Sequence, residues 1–242
     1  MAKALLMLTA TEGNRAALQQ ALADSLEAVF AEREQLTVQL MKAPDTDFFY
    51  DPQSPYARPE LVVEVITAPG KPLSTLHQEL VAVMAGLPIK AESQAFVMLE
   101  RKYIVCQPQQ YYYHYLMLKR PEFSAADYRD YYSNFHANMG RHTVGIAGYS
   151  QNDIDPPASA ELANLLGLST RDVTSISELK MPDPEAFISN PETMAVAEPA
   201  AIDEERFLDR ANSVSFTSQV ILRLGDFERI QEPVFPQHFA PD

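Results

Sequence analysis

The sequence predicts an α+β fold: two ferredoxin-like β-α-β-β-α-β units in one chain, packed sheet against sheet as a barrel with helices outside. Three observations lead there. Apolar spacing alternates between two and three-to-four along the chain, marking strands and helices in turn. The order of elements this gives occurs twice. A ferredoxin-like sheet covered by helices on one face leaves its other face bare, and two copies in one chain can bury those faces on each other. The space so enclosed is then the expected ligand cavity.

In the first unit, 1–106, residues 4–8 form an apolar strand. Residues 14–31 place Leu18, Leu22, Leu26 and Phe30 at helical spacing with no Gly or Pro between them. Residues 36–41 alternate and 61–67 are apolar, giving two strands. Residues 72–85 carry Leu73, Leu76, Leu80 and Val83 on one helical side, and 95–105 close the unit as a strand. The polar, Pro-containing stretch 107–110 joins the halves.

The second unit, 111–225, repeats the order. Residues 111–118 form a strand, and Ser124 caps a helix running to about Met139 by satisfying an orphan amide. Strands follow at 144–151 and 173–179. Residues 183–190 and 191–205 are helical, divided by Pro191, and 214–224 form the closing strand. A tail, 226–242, with Pro233, Pro236 and Pro241, lacks periodicity. Two long inserts stand out as lids or binding loops: 42–60, with Phe48, Phe49, Tyr50 and Tyr56, and 152–171, with a short helix at 158–168. The closing strands are long, so their outer ends could pair with a second chain and make a homodimer.

Composition narrows the function classes. Nineteen Lys and Arg against 33 Asp and Glu give a net charge of −14. That balance argues against nucleic acid and against anionic membranes as partners. Residues 176–242 hold 13 acidic and 5 basic side chains, read as a solvated acidic face. One cysteine, Cys106, precludes an internal disulfide and a thiolate-rich metal site. With no apolar run long enough to span a bilayer and no signal-peptide pattern at the start, a cytoplasmic protein is expected.

Eight of the 11 tyrosines and three of the five histidines fall between residues 111 and 149. The polar site is therefore expected in the second unit. On strand 111–118, Tyr112 and His114 share one face and Tyr111, Tyr113 and Tyr115 the other. Tyr128, Tyr132 and His136 are spaced i, i+4, i+8 and form one helical stripe. Tyr149 and Gln151 share a strand face. A His–Tyr pair can move a proton or polarise a carbonyl. Gly-rich phosphate loops, His-rich metal motifs and GxSxG nucleophile elbows are absent from the sequence.

The second half resembles the EthD family of the dimeric α+β barrel superfamily. The residues that carry the likeness are Leu116-Met117-Leu118-Lys119-Arg120-Pro121, Phe123-Ser124, and the helix Tyr128-Arg129-Asp130-Tyr131-Tyr132-Ser133-Asn134-Phe135-His136-Ala137. To these are added Gly148-Tyr149-Ser150-Gln151-Asn152, Phe187, Asn190-Pro191-Glu192 and Glu204-Glu205-Arg206-Phe207-Leu208-Asp209. The resemblance implies a tandem-repeat member, closed as a pseudo-dimer, and carries over His136 as the family histidine. Relatives include polyketide cyclases, lactone isomerases, haem-dependent enzymes and an accessory protein of ether degradation. The stretch Asn190-Pro191-Glu192-Thr193 lacks the histidine that the plant cyclases use, so that particular chemistry is not carried over.

The resulting expectation is a cofactor-independent acid/base enzyme, a lyase (dehydratase), isomerase or cyclase, acting on a small apolar or aromatic carbonyl compound in the barrel cavity. His136 is the base or acid and Tyr149 the polarising donor. Tyr112, His114, Tyr132 and Gln151 bind and orient the substrate, and no metal is expected. Two alternatives stand beside it: a haem-binding barrel with His114, His136 or His77 as axial ligand, and a non-catalytic accessory protein that carries a small molecule.

Overall fold

The computed structural model describes residues 1–225. Eight strands, Ala2–Leu8 (β1), Leu36–Lys42 (β2), Leu61–Thr67 (β3), Gln94–Ile104 (β4), Tyr111–Met117 (β5), Gly148–Ile154 (β6), Ser175–Met181 (β7) and Val214–Gly225 (β8), close into one antiparallel barrel in the order β1-β3-β2-β8-β5-β7-β6-β4. The first-half strands lie as β4-β1-β3-β2 and the second-half strands as β8-β5-β7-β6, so both halves use the same strand order. Among the described residues no helix is long and apolar enough to cross a membrane. The expected tail, 226–242, lies outside the described residues.

Helices cover the outside. Arg15–Phe30 (α1) buries Leu18, Leu22, Leu26 and Phe30, the stripe its spacing dictates. A 3₁₀ turn, Leu73–Leu76, leads into His77–Met84 (α2). Ala125–Tyr131 (α3), a π-helical turn Tyr132–His136, and Ala137–Arg141 (α4) make one continuous but uneven helix. Pro156–Leu166 (α5) begins where Asp155 caps it, Pro184–Ser189 (α6) where Asp183 caps it, and Pro191–Phe207 (α7) where Asn190 caps it. α5 belongs to the second half in sequence but packs over β4, with Leu162 and Ala163 in the same core as Leu18, Leu80 and Val97. Ser159 fastens it there, its hydroxyl accepting from the Val97 amide at 2.9 Å.

Two strands differ from expectation. β6 begins at Gly148 rather than 144 and runs on through Asn152 and Asp153. Those two read as loop because both are polar, yet each has strand partners. Asn152 donates inward to the Ile176 carbonyl at 2.9 Å, and Asp153 faces outward to Arg101 at 2.8 Å. β7 starts two residues later than expected and also ends two residues later, because the polar Lys180 reads as the end of a strand yet is buried with Met181, at 5% and 0% exposure.

The long closing strands find partners within the chain at both of their ends. β4 pairs with β1 through residues 94–99 and with β6 through residues 98–104. β8 pairs with β5 through residues 214–219 and with β2 through residues 219–225. Each is long because it serves two neighbours in succession, and this closes the barrel within the chain.

The expected enclosed cavity is filled. One end of the interior is apolar, with Leu5, Met7, Phe96, Met98, Leu116 and Ile176. The other end holds an ion-pair network. Lys3 meets Glu64 at 2.7 Å, Glu178 at 2.5 Å and Glu100 at 3.5 Å, and Glu100 also faces Lys180 at 3.7 Å and Lys102 at 3.8 Å. Three lysines and three glutamates balance there. Burying such charges is costly unless each is compensated, and here the mutual attraction holds Lys3 well above the usual lysine range and Glu100 down to about 2 against the pull of burial.

Candidate active site

Apart from α5, the second-half helices lie on the outer face of the second-half strands, and the titratable groups collect between the two layers. Ser124 accepts from the Asp127 amide and starts α3, which carries Tyr128. The π turn that follows widens the helix by one residue, a distortion frequent at functional sites, and ends on His136. The Tyr128 and Tyr132 rings lie 5.6 Å apart, tilted to each other, and Tyr132 stacks on His136 at 5.8 Å. Phe207 from α7 closes on the same stripe, 5.1 Å from the His136 ring.

α7 supplies two carboxylates. Asp203 and Phe207 are four residues apart and share its buried side, so Asp203 is drawn inward with the aromatic. Its Oδ1 accepts from the Tyr131 hydroxyl at 2.6 Å, and its Oδ2 lies 3.0 Å from His136 Nδ1. Burial pulls the His136 pKa down and outweighs the Asp203 carboxylate, which raises it. The imidazole is therefore neutral at pH 7, with Nδ1–H donated to Asp203 and Nε2 left as the acceptor. Nε2 stands 4.0 Å from Glu204 Oε1.

Glu204 is the most perturbed acid on this side of the sheet. Burial pushes its carboxyl up to about 7, against Arg210 and a hydrogen bond from Tyr115, which lower it, and with Asp203, which raises it further. Arg210 Nε is 4.0 Å from Glu204 Oε2. Glu204, Arg210, Tyr113, Tyr115, Ser215 and Asp51 line a cavity of about 350 Å³, whose outer wall is the insert between β2 and β3. Asp47 and Phe49 pin that insert to β8 through the Thr217 amide at 2.9 Å and the Ser215 hydroxyl at 2.7 Å. Burial raises the Tyr115 pKa, so the phenol stays protonated. A larger cavity, about 580 Å³, lies by Tyr128 and Arg129, where Asp153 is paired with Arg129 at 3.2 Å and Arg101 at 2.8 Å.

The residues expected to act together fall into three places. His136 backs Glu204 but does not line the cavity. Tyr132, Tyr149 and Gln151 lie between helix and sheet as a buried clamp. The Gln151 amide donates to the Tyr149 hydroxyl at 2.8 Å and to the Tyr132 carbonyl at 2.9 Å, and Tyr149 stacks on Tyr103 at 5.2 Å. Tyr112 and His114 point through the other face of β5 into the filled barrel, so the strand itself separates them from His136 and Tyr149. There His114 Nε2 meets Ser218 at 2.8 Å and Nδ1 faces Glu178 at 3.7 Å, while the Tyr112 hydroxyl accepts from Gln39 at 3.1 Å. Glu204 and Tyr115 were missed as site residues. Glu204 sits in an acidic run that reads as solvent-facing, and the available signal was Asp203 and Phe207 sharing a helical side.

Fold and site together define an eight-stranded α+β barrel with a cavity outside the barrel that presents a carboxyl, a phenol and a guanidinium. Residues 120–211 match the EthD domain. By sequence, no curated protein matches. Among solved structures the chain is similar to an anthrone oxidase-like protein, with TM-score 0.57 and 10% identity over 96% of each chain. It is also similar to a candidate monooxygenase from Fusobacterium nucleatum subsp. nucleatum, with TM-score 0.58 and 9% identity over 92% of this chain and 93% of that one. The chlorite dismutase from Candidatus Nitrospira defluvii in complex with imidazole gives TM-score 0.52 and 11% identity over 90% of each chain. At these identities the likeness is one of fold.

An axial haem ligand needs a ring nitrogen free to face a flat cavity. His114 is enclosed in the barrel, and His136 is wedged between Asp203, Glu204, Tyr132 and Phe207. His77 faces Glu161 at 3.8 Å, and His142 Nδ1 is 2.6 Å from the Asn138 carbonyl. His114 and His136, enclosed on all sides, do not fit a haem as arranged; the contacts of His77 and His142 are at Nδ1 alone, and neither residue lines the cavities of about 350 and 580 Å³. Among the described residues no cluster of three or more His, Cys, Asp or Glu is placed to hold a metal ion.

Proposed function

We propose that the protein is a proton-transfer enzyme, a tandem pair of ferredoxin-like units whose second unit carries the site, with Glu204 as the general acid/base. The observation that carries this reading is the placement of a largely buried glutamate, its carboxyl pushed up to about 7 by that burial, in the wall of a cavity that also presents a phenol and a guanidinium. The substrate class is a small carbonyl compound. The Glu204 carboxylate removes a proton from the carbon beside the carbonyl, and the electron pair moves onto the carbonyl oxygen. The Tyr115 hydroxyl and the Arg210 guanidinium receive the developing oxyanion. Protonated Glu204 then returns the proton to a different carbon, giving an isomer, or to a departing hydroxyl, giving dehydration. Asp203 acts through Glu204, raising its proton affinity, and is itself fixed by His136, whose Nε2 stands 4.0 Å behind the Glu204 carboxyl.

The test is solvent exchange. Aryl 1,3-diketones incubated with the protein in D2O should gain deuterium at the carbon between the carbonyls, read by NMR. Glu204→Gln should lower that rate by about 10²–10⁴-fold, the usual worth of a general base. Exchange undiminished in Glu204→Gln but lost in Tyr149→Phe would return the chemistry to Tyr149 and overturn the reading.

A further inference from the structure

A second cavity, of about 220 Å³, opens at the apolar end of the barrel, across Pro55 from the first. Its floor is Met7, Val214 and Phe216, side chains of the barrel interior. Arg171 stands in its wall. The guanidinium lies over the Tyr56 ring at 3.5 Å from the centroid, and its Nε and Nη1 are buried without a hydrogen-bond partner. Gln94, in the same wall, has its Oε1 buried and unpartnered as well. Glu92 is also at this cavity, but it is 70% exposed and leans on Lys90 at 3.7 Å. Burial lowers the Arg171 pKa, and Tyr56 is the ionisable group that counters it.

A half-buried guanidinium with two buried, unmet donor atoms is costly in the free protein, and that cost is recovered when an anion arrives. This one sits in a chain of net charge −14, so an available carboxylate of the chain's own would be easy to supply. The apolar floor selects against a bare inorganic anion, and the Gln94 oxygen can accept from a hydroxyl on the ligand. We propose that this cavity binds a small carboxylic acid with an apolar body, its carboxylate on Arg171 and its body on Met7, Val214 and Phe216. Arg171 and Tyr56 are far better suited to this than lysine and an aliphatic residue would be, because the planar guanidinium stacks on the ring and still presents donors at its edge.

Calorimetric titration of the full-length protein with benzoate tests the proposal, with benzamide and inorganic phosphate as comparators. Benzoate should bind saturably, and the other two at least about tenfold more weakly, since only benzoate offers both the charge and the ring. Arg171→Gln should weaken benzoate by a similar factor, and Tyr56→Leu should weaken it too, while Glu204→Gln should leave it unchanged. Equal binding of benzamide or phosphate, full affinity in Arg171→Gln, absence of benzoate binding, or loss in Glu204→Gln instead would each overturn it. Because the Glu204 variant is an arm of the test, failure here is distinguishable from failure of the acid/base reading.

Discussion

At the residue scale, Glu204 carries an electrostatic conflict that predicts both its chemistry and its cost. A carboxyl at about 7 in the folded protein and near 4.3 unfolded is protonated below both values, where it is neutral in either state. Between them the unfolded chain ionises first, so stability falls as pH rises from about 4 through 7. Glu204→Gln should therefore unfold later than the parent at pH 8, by up to about 3 kcal/mol in chemical denaturation, while losing activity. The neighbours shift the titration in opposite directions. Asp203 raises the Glu204 pKa and Arg210 lowers it. In the exchange assay the rate should rise with pH as Glu204 ionises, and the midpoint of that rise should thus move below 7 in Asp203→Asn and above 7 in Arg210→Gln. His136 was legible in the sequence because the helical stripe placed it; Glu204 was not, because one acidic residue among three adjacent ones shows no preference for either side of a helix.

At the element scale, the helix 125–141 is held by fit as much as by its stripe. Gly140 in α4 packs so closely on Tyr149 that a Cβ there would overlap the phenol ring. The ring cannot withdraw, because Gln151 and Tyr103 fix it. Gly140→Ala should destabilise the protein by about 1–3 kcal/mol, measured by denaturant titration, despite alanine's better helix propensity. No effect would mean that α4 slides freely over β6. Elements with clean periodicity were readable: β3 is Leu61–Thr67, and α1 is Arg15–Phe30 within the expected 14–31. The π turn was not readable, since Tyr128, Tyr132 and His136 keep their spacing in sequence whether or not one hydrogen bond lengthens. β6 and β7 shifted because polar residues facing the barrel interior resemble loop residues.

At the scale of the whole molecule, the closed barrel is assembled around charge. Lys3, Glu64, Glu100, Lys102, Glu178 and Lys180 occupy inward positions of four strands from both halves. Their alternate spacing at 100/102 and 178/180 was visible in the sequence, but an expected hollow interior gave it no meaning. Removing one member leaves the others uncompensated, so Lys3→Met should cost about 3–5 kcal/mol in denaturant titration. The Glu100 carboxylate, held at about 2 when folded, adds stability above its unfolded value near 4.3 and loses it as pH falls toward 2. Glu100 thus loses its contribution in acid, and the proposed proton-transfer chemistry lies on the other side of the sheet, at Glu204. Carbon-13 NMR titration of glutamate carboxyls, with the Glu204 signal assigned by its loss in Glu204→Gln, tests that claim most directly. The account predicts a midpoint near 7; a midpoint in the ordinary carboxylate range, about 4, would contradict it.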